Sequence, residues 1–118
     1  MRVRVRRVYE DPEADGAARV LVDRLWPRGV AKEHLNLDHW AKDAAPSTEL
    51  RKWYGHRPER FDEFRRRYLT ELEAPAAAVA VQKLRRLAEG TGVTLLTATR
   101  DIDRSGARVL ADAIEGRS

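Results

Sequence analysis

The sequence contains no cysteine, which excludes a disulfide framework, a thiolate nucleophile and a cysteine zinc site. Histidine is scarce: His34, His39 and His56 have no HExxH-type spacing, and the five-residue step from His34 to His39 does not stack them on one helix face. No metal ion and no cofactor is expected. No apolar run approaches the roughly 20 residues needed to span a bilayer. The basic start, Met-Arg-Val-Arg-Val-Arg-Arg, is not followed by an apolar signal segment, so retention in the cytoplasm is expected. A GxSxG elbow, a phosphate-binding glycine loop and a GxGxxG fingerprint are all absent, which leaves nucleophilic catalysis little to stand on.

What is present suits one soluble domain over residues 1–118, with 42% apolar and 36% charged residues. The net charge of +4 allows a polyanionic partner. Nineteen of the 23 basic residues are arginine, however, a bias that genomic base composition alone can produce. Oligomeric state is not legible.

Alternation over residues 3 to 9 predicts a strand with Val3 and Val5 toward the core, and Arg7 and Tyr9 further along the same side. Residues 10 to 18 read as a polar loop, short for a helical crossover, so length alone favours an antiparallel return. A second strand runs from Arg19 to Asp23. A helix is expected over about 38 to 43. Ser47 then caps a helix that carries Leu50 and Trp53 inward and closes at Gly55. Pro58 opens the next one, in which Phe61, Phe64, Tyr68 and Leu72 recur at helical spacing. Ala77, Val81, Leu84 and Ala88 mark another helix, ending at Gly90. The apolar run Val93 to Ala98 has the character of a central strand covered on both faces. A polar loop follows, and Ser105 caps a last helix. The expected fold is α/β: a small, mostly parallel, three-stranded sheet with helices on both faces.

The stretch Arg19 to Gly29, Arg-Val-Leu-Val-Asp-Arg-Leu-Trp-Pro-Arg-Gly, is a strand that runs out into a carboxylate, two guanidiniums and an indole. Ligands of parallel sheets bind beyond the carboxyl ends of the strands. If the second and last strands are parallel neighbours, Asp23, Arg24, Trp26 and Arg28 meet Thr99, Arg100, Asp101 and Ser105, and Arg7 and Tyr9 join them if the first strand runs the same way. Guanidinium forks and the amides of a helix start suit phosphate or carboxylate. The expected ligand is a small anion, bound by Arg7, Tyr9, Arg24, Trp26, Arg28, Arg100 and Ser105. Asp23 and His56 are the candidates for proton transfer if the protein is an enzyme, which the sequence leaves open. The competing reading makes Asp23 and Arg24 an ion network closing the sheet, the tryptophans core, His56 a helix-end residue and Ser105 a cap. A separate alternative is a nucleic-acid or regulatory-partner surface on Arg65-Arg66-Arg67 and Arg85-Arg86. The interleaved Asp62, Glu63, Glu71 and Glu89 fit solvated, internally paired faces better, and no nucleic-acid motif supports it.

Three further strings carry a resemblance together with residues 19–29. They are Asp38 to Asp43 with Ala45-Pro46-Ser47 and Glu49 to Lys52, Phe64 to Leu72, and Val93 to Leu96 with Ala107 to Leu110. The chain resembles the YeaO-like family, an uncharacterised bacterial group also called domain of unknown function 488, over nearly its whole length. The resemblance implies an α/β fold whose first two strands are parallel, as in longer relatives with a helix between them, against the loop-length argument. It implies no activity. Relatives often carry an Asn-His pair before the last helix; Ser105-Gly106 stand there in this chain, so any acid–base role of that histidine does not carry over.

Overall fold

The computed structural model describes residues 2–10 and 15–116. Part of the polar loop read over 10 to 18 lies outside them. Four strands form one sheet in the order β1-β4-β2-β3, every pair parallel: β1 (Val3–Arg7), β2 (Ala18–Leu21), β3 (His39–Trp40) and β4 (Val93–Thr97). Five α-helices accompany it: α1 (Lys32–Leu35), α2 (Thr48–Tyr54), α3 (Phe61–Glu71), α4 (Pro75–Glu89) and α5 (Gly106–Ile114). No helix among the described residues is long and apolar enough to cross a membrane.

β4 is the axis. All five of its residues are buried, and it pairs with β1 on one side and β2 on the other, Val93 standing opposite both Val3 and Ala18. Period-2 alternation then divides the apolar residues between two faces. Val20, Val22, Val93 and Leu95 pack with residues of α2, α3, α4 and α5 in the main core. Val8, Leu21 and Leu96 point the other way, to Leu35 of α1, with Trp26 and Trp40 against them. Leu21 and Leu95 are wholly buried, each contributing roughly 1.5–3 kcal/mol relative to exposure.

The sheet therefore has four strands, not three. The expected helix over 38 to 43 is replaced by β3 and a 3-10 turn at Lys42–Ala44. A two-residue strand has no periodicity to read; it exists because the open edge of β2 offers partners, such as the Leu21 carbonyl that accepts from the Ala41 amide (2.8 Å). The antiparallel return is also overturned, because β4 lies between β1 and β2. Ten residues, 8 to 17, join those strands, and at roughly 3.3 Å per residue they can reach back along a five-residue strand and across β4 without a helix. Among the described residues, the second face of the sheet is covered by the short α1 and its neighbouring loops.

The helix boundaries follow local chemistry. Ser47 caps α2 by accepting from the Leu50 amide (3.1 Å), and Gly55 ends it in the left-handed region. Of the apolar positions expected in that helix, Leu50 and Tyr54 are buried, whereas Trp53 is half-buried beneath the guanidiniums of Arg60 and Arg67. Pro75 begins α4, and Ser105 caps α5 through the Arg108 amide (3.1 Å).

Candidate functional site

The carboxyl ends of β2 and β4 open into a cavity of about 480 Å³. Around it the structure gathers Tyr9, Asp23, Arg24, Trp26, Arg28, His56, Arg100 and Ser105, drawn from four separate parts of the chain. Arg7 is not in its lining. Its guanidinium lies over the Tyr9 ring (5.0 Å), and its Nε is buried without a hydrogen-bond partner. Arg51 and Tyr54 of α2, unforeseen from the sequence, also line the cavity. Their three-residue spacing marks a shared helix face, but only packing decides that this face turns to the strand ends.

Asp23 sits at the junction of β2 and β4. Its Oδ1 accepts from the Thr97 hydroxyl (2.7 Å), its Oδ2 from the Ala98 amide (2.8 Å), and its backbone carbonyl from the Trp40 indole (2.7 Å). Burial raises the pKa of this carboxyl above the ordinary aspartate value, although the Ala98 amide, the Thr97 hydroxyl and the nearby charges of His56 and Arg51 pull it down. Arg24 donates from Nε to the Pro46 carbonyl (2.9 Å) and from Nη2 to the Ala45 carbonyl (3.3 Å). The buried Tyr68 hydroxyl donates to the Ala44 carbonyl, and Glu71 accepts from the Ser47 amide (2.8 Å) and hydroxyl (2.6 Å). Thus the Asp-Arg of residues 23–24 and the Ala-Pro-Ser of 45–47 belong to one hydrogen-bonded frame. It joins the sheet to α2 and α3 and forms one wall of the cavity.

Other side chains border the cavity with fewer ties. Arg28 and Arg100 are exposed, one between Pro27 and Gly29 and the other just beyond β4, and neither guanidinium has a hydrogen bond or ion pair among the described residues. The Arg28 carbonyl accepts a long bond from the Tyr9 hydroxyl (3.4 Å). His56 is exposed, with its backbone in the left-handed region (φ 58°) after the end of α2. Trp26 donates its indole N–H to the Val30 carbonyl (2.7 Å) and meets Trp40 edge-on (5.4 Å), so its polar atom is not turned to the cavity. Ser105 is buried, its hydroxyl donating to the Ile102 carbonyl (2.7 Å) while capping α5. The Gly106 and Ala107 amides, which precede the first bonds of that helix, have no acceptor within it. A Cβ at Gly106 would lie 3.2 Å from Pro46 Cγ, so the frame closes tightly on this position.

The arginine-rich helix faces are largely paired. Arg65 bonds Asp112 of α5 (3.1 Å), Arg67 joins Arg66 on Glu63 (2.7 Å from Arg67), and Arg85 donates to the Ile114 and Ala113 carbonyls (both 3.1 Å). Among the described residues no three histidine, aspartate or glutamate side chains converge as a metal site requires.

The chain has relatives among known proteins. Residues 2–118 match the family model described as "Inactive DUF488-N3 subclade". The uncharacterised protein Rv3073c of Mycobacterium tuberculosis is 53% identical over 116 residues, covering 98% of this chain and 96% of the relative. The uncharacterised protein YeaO of Escherichia coli is 39% identical over 112 residues, covering 95% and 96%. No solved structure matches.

Proposed function

From the chain's membership of the DUF488 family, in the N3 subclade described as inactive, we propose that this protein binds a small phosphate- or carboxylate-bearing molecule at the strand ends without transforming it. The observation that carries the reading is one cavity whose lining combines Arg28, Arg51, Arg100 and His56 with the first turn of α5. Planar guanidiniums can each bond two anion oxygens, and the amides and dipole of a helix start favour the same charge. Asp23 and Arg24 support that wall: both Asp23 oxygens are engaged with Thr97 and Ala98, and Arg24 Nε and Nη2 with Pro46 and Ala45. Proton transfer has only His56 to work with among the groups named from the sequence. Both Asp23 oxygens are held, Ser105 is a cap, and Gly106 carries no side chain. The α3 arginines, paired with Asp112 and Glu63, argue against the nucleic-acid alternative on that helix, because a face whose charges are partly neutralised has less to offer phosphates. On α4, Arg85 is tied to carbonyls and Arg86 has no ion pair among the described residues.

The test is thermal denaturation and calorimetry with inorganic phosphate and a panel of small phosphate monoesters and dicarboxylates. A true ligand at 100 times its Kd stabilises by about 2.7 kcal/mol. Arg28→Ala and Arg100→Ala are expected to weaken binding while leaving the unliganded fold intact. Stabilisation by none of these anions, or binding indifferent to both variants, overturns the reading. Turnover of a bound compound would refute its non-catalytic part.

A further inference from the structure

The edge of the sheet away from β1 is built differently from the anion cavity. Among the described residues, β3 ends the strand order and pairs only with β2. Two grooves flank it, and His39 and Trp40 border both. The larger, about 700 Å³, runs between β3 and α4 over Trp40, Ala41, Val79, Ala80 and Leu87. The smaller, about 440 Å³, lies on the other face beside Trp26, Leu37 and α1. Val79 is 52% exposed, one of three large apolar side chains left in solvent among the described residues.

We propose that β3 is the docking edge for an extended segment of a partner protein that is both apolar and acidic. A strand added to an edge sends alternate side chains to opposite faces of the sheet, and grooves on both sides of β3 provide for both sets. Charge selects the occupant. Lys42, Lys83 and Arg86 border the α4 groove against one acid, Asp43. Arg65, Arg66, Arg67 and Arg85 all have carboxylate or carbonyl partners, but neither Lys83 nor Arg86 makes an ion pair among the described residues. Unpaired cations along an apolar floor fit a peptide with acidic groups beside its apolar ones. A second copy of this chain fits less well, since an isologous contact would bring like charges together. A nucleic-acid strand would need an open aromatic face for its bases, and the Trp40 ring is capped by the Lys42 ammonium at 4.0 Å. The α4 groove shares no residue with the anion cavity and the smaller groove shares Trp26, so variants at Val79, Lys83 and Arg86 test this reading apart from the other.

The experiment selects random dodecapeptides by display on the full chain. The enriched peptides are synthesised and titrated against wild type, Val79→Asp and the double variant Lys83→Glu/Arg86→Glu. The expected result is enrichment of sequences alternating apolar residues with aspartate or glutamate, with amide shifts confined to residues 26, 32–43 and 76–87, which border the two grooves. Val79→Asp abolishes binding. The double reversal weakens it by about tenfold or more and improves binding of lysine-substituted peptides. All three side chains border solvent, and circular dichroism checks that each variant is folded; if Val79→Asp is not, the double variant alone decides. Enrichment without acidic preference, or affinities unchanged in the double variant, overturns the proposal. So does a dimer in sedimentation that Val79→Asp dissociates, or oligouridylate shifting the same amides at equal affinity.

Discussion

Removing the carboxylate of Asp23 tests whether it is a brace. In Asp23→Ala the Thr97 hydroxyl and the Ala98 amide lose acceptors at 2.7 and 2.8 Å, each loss costing roughly 1–3 kcal/mol when a buried donor is left unsatisfied. Water entering from the adjoining cavity offsets part of that, and relief from burying a carboxylate offsets more, so the net loss expected is about 2–3 kcal/mol. Asp23→Asn keeps the shape but turns an NH2 toward one of the donors, and a loss of about 1–2 kcal/mol is expected. The pH dependence follows from burial, which raises the folded pKa above the unfolded value near 3.9. In the interval between the two values the folded state holds a proton that the unfolded state has released. The stability from this group is therefore fully present below about pH 4 and is lost as pH rises through the folded pKa. Urea denaturation of wild type and Asp23→Asn, followed by tryptophan fluorescence from pH 3.5 to 7, isolates the term as a difference. The wild-type advantage is expected to shrink as pH rises through that window and then to level off. An advantage that grows with pH would show that the hydrogen bonds and the nearby His56 and Arg51 outweigh desolvation. A loss below about 0.5 kcal/mol in Asp23→Ala, within the range of ordinary surface substitutions, would refute the bracing role altogether.

Three other substitutions probe the same frame and the sheet. Ser47→Ala removes both the cap on Leu50 and the bond to Glu71 and is expected to cost about 1–2 kcal/mol in urea denaturation. Tyr68→Phe leaves the Ala44 carbonyl without its buried donor, and a loss of about 1–3 kcal/mol is expected in the same assay. Gly92→Ala forces a side chain into φ 92° with a Cβ 2.7 Å from Arg2 Nε. A loss of about 1–2 kcal/mol is expected, and adding Arg2→Ala should recover only the contact part, because the backbone strain remains.

Much of this molecule is written locally. The caps at Ser47 and Ser105, the stop at Gly55 and the stripe Phe64, Tyr68 and Leu72 all occupy the places their sequence suggests, because each depends on neighbours within a turn or two. The central character of β4 was equally plain, since a strand covered on both faces needs an unbroken apolar run. Resemblance supplied the parallel sense of β1 and β2, which loop length alone argued against.

The sequence by itself determined β1, β2, β4 and the helices α2 to α5, that β2 runs out into Asp23, Arg24 and Arg28, and that α5 starts at a capped serine beside Gly106, but neither α1 nor β3. Only the tertiary structure decided the roles. β3 exists because β2 has an open edge, and two residues carry no period of their own. Arg24 and Trp26 read as ligand groups in sequence and both border the cavity, and Arg24 Nε, Arg24 Nη2 and the Trp26 indole N–H also meet carbonyls 22, 21 and 4 residues away. Arg51 entered the cavity because α2 turns that face toward the strand ends. A side chain's chemistry is local, whereas its partner is set by which distant backbone groups folding leaves in need of one.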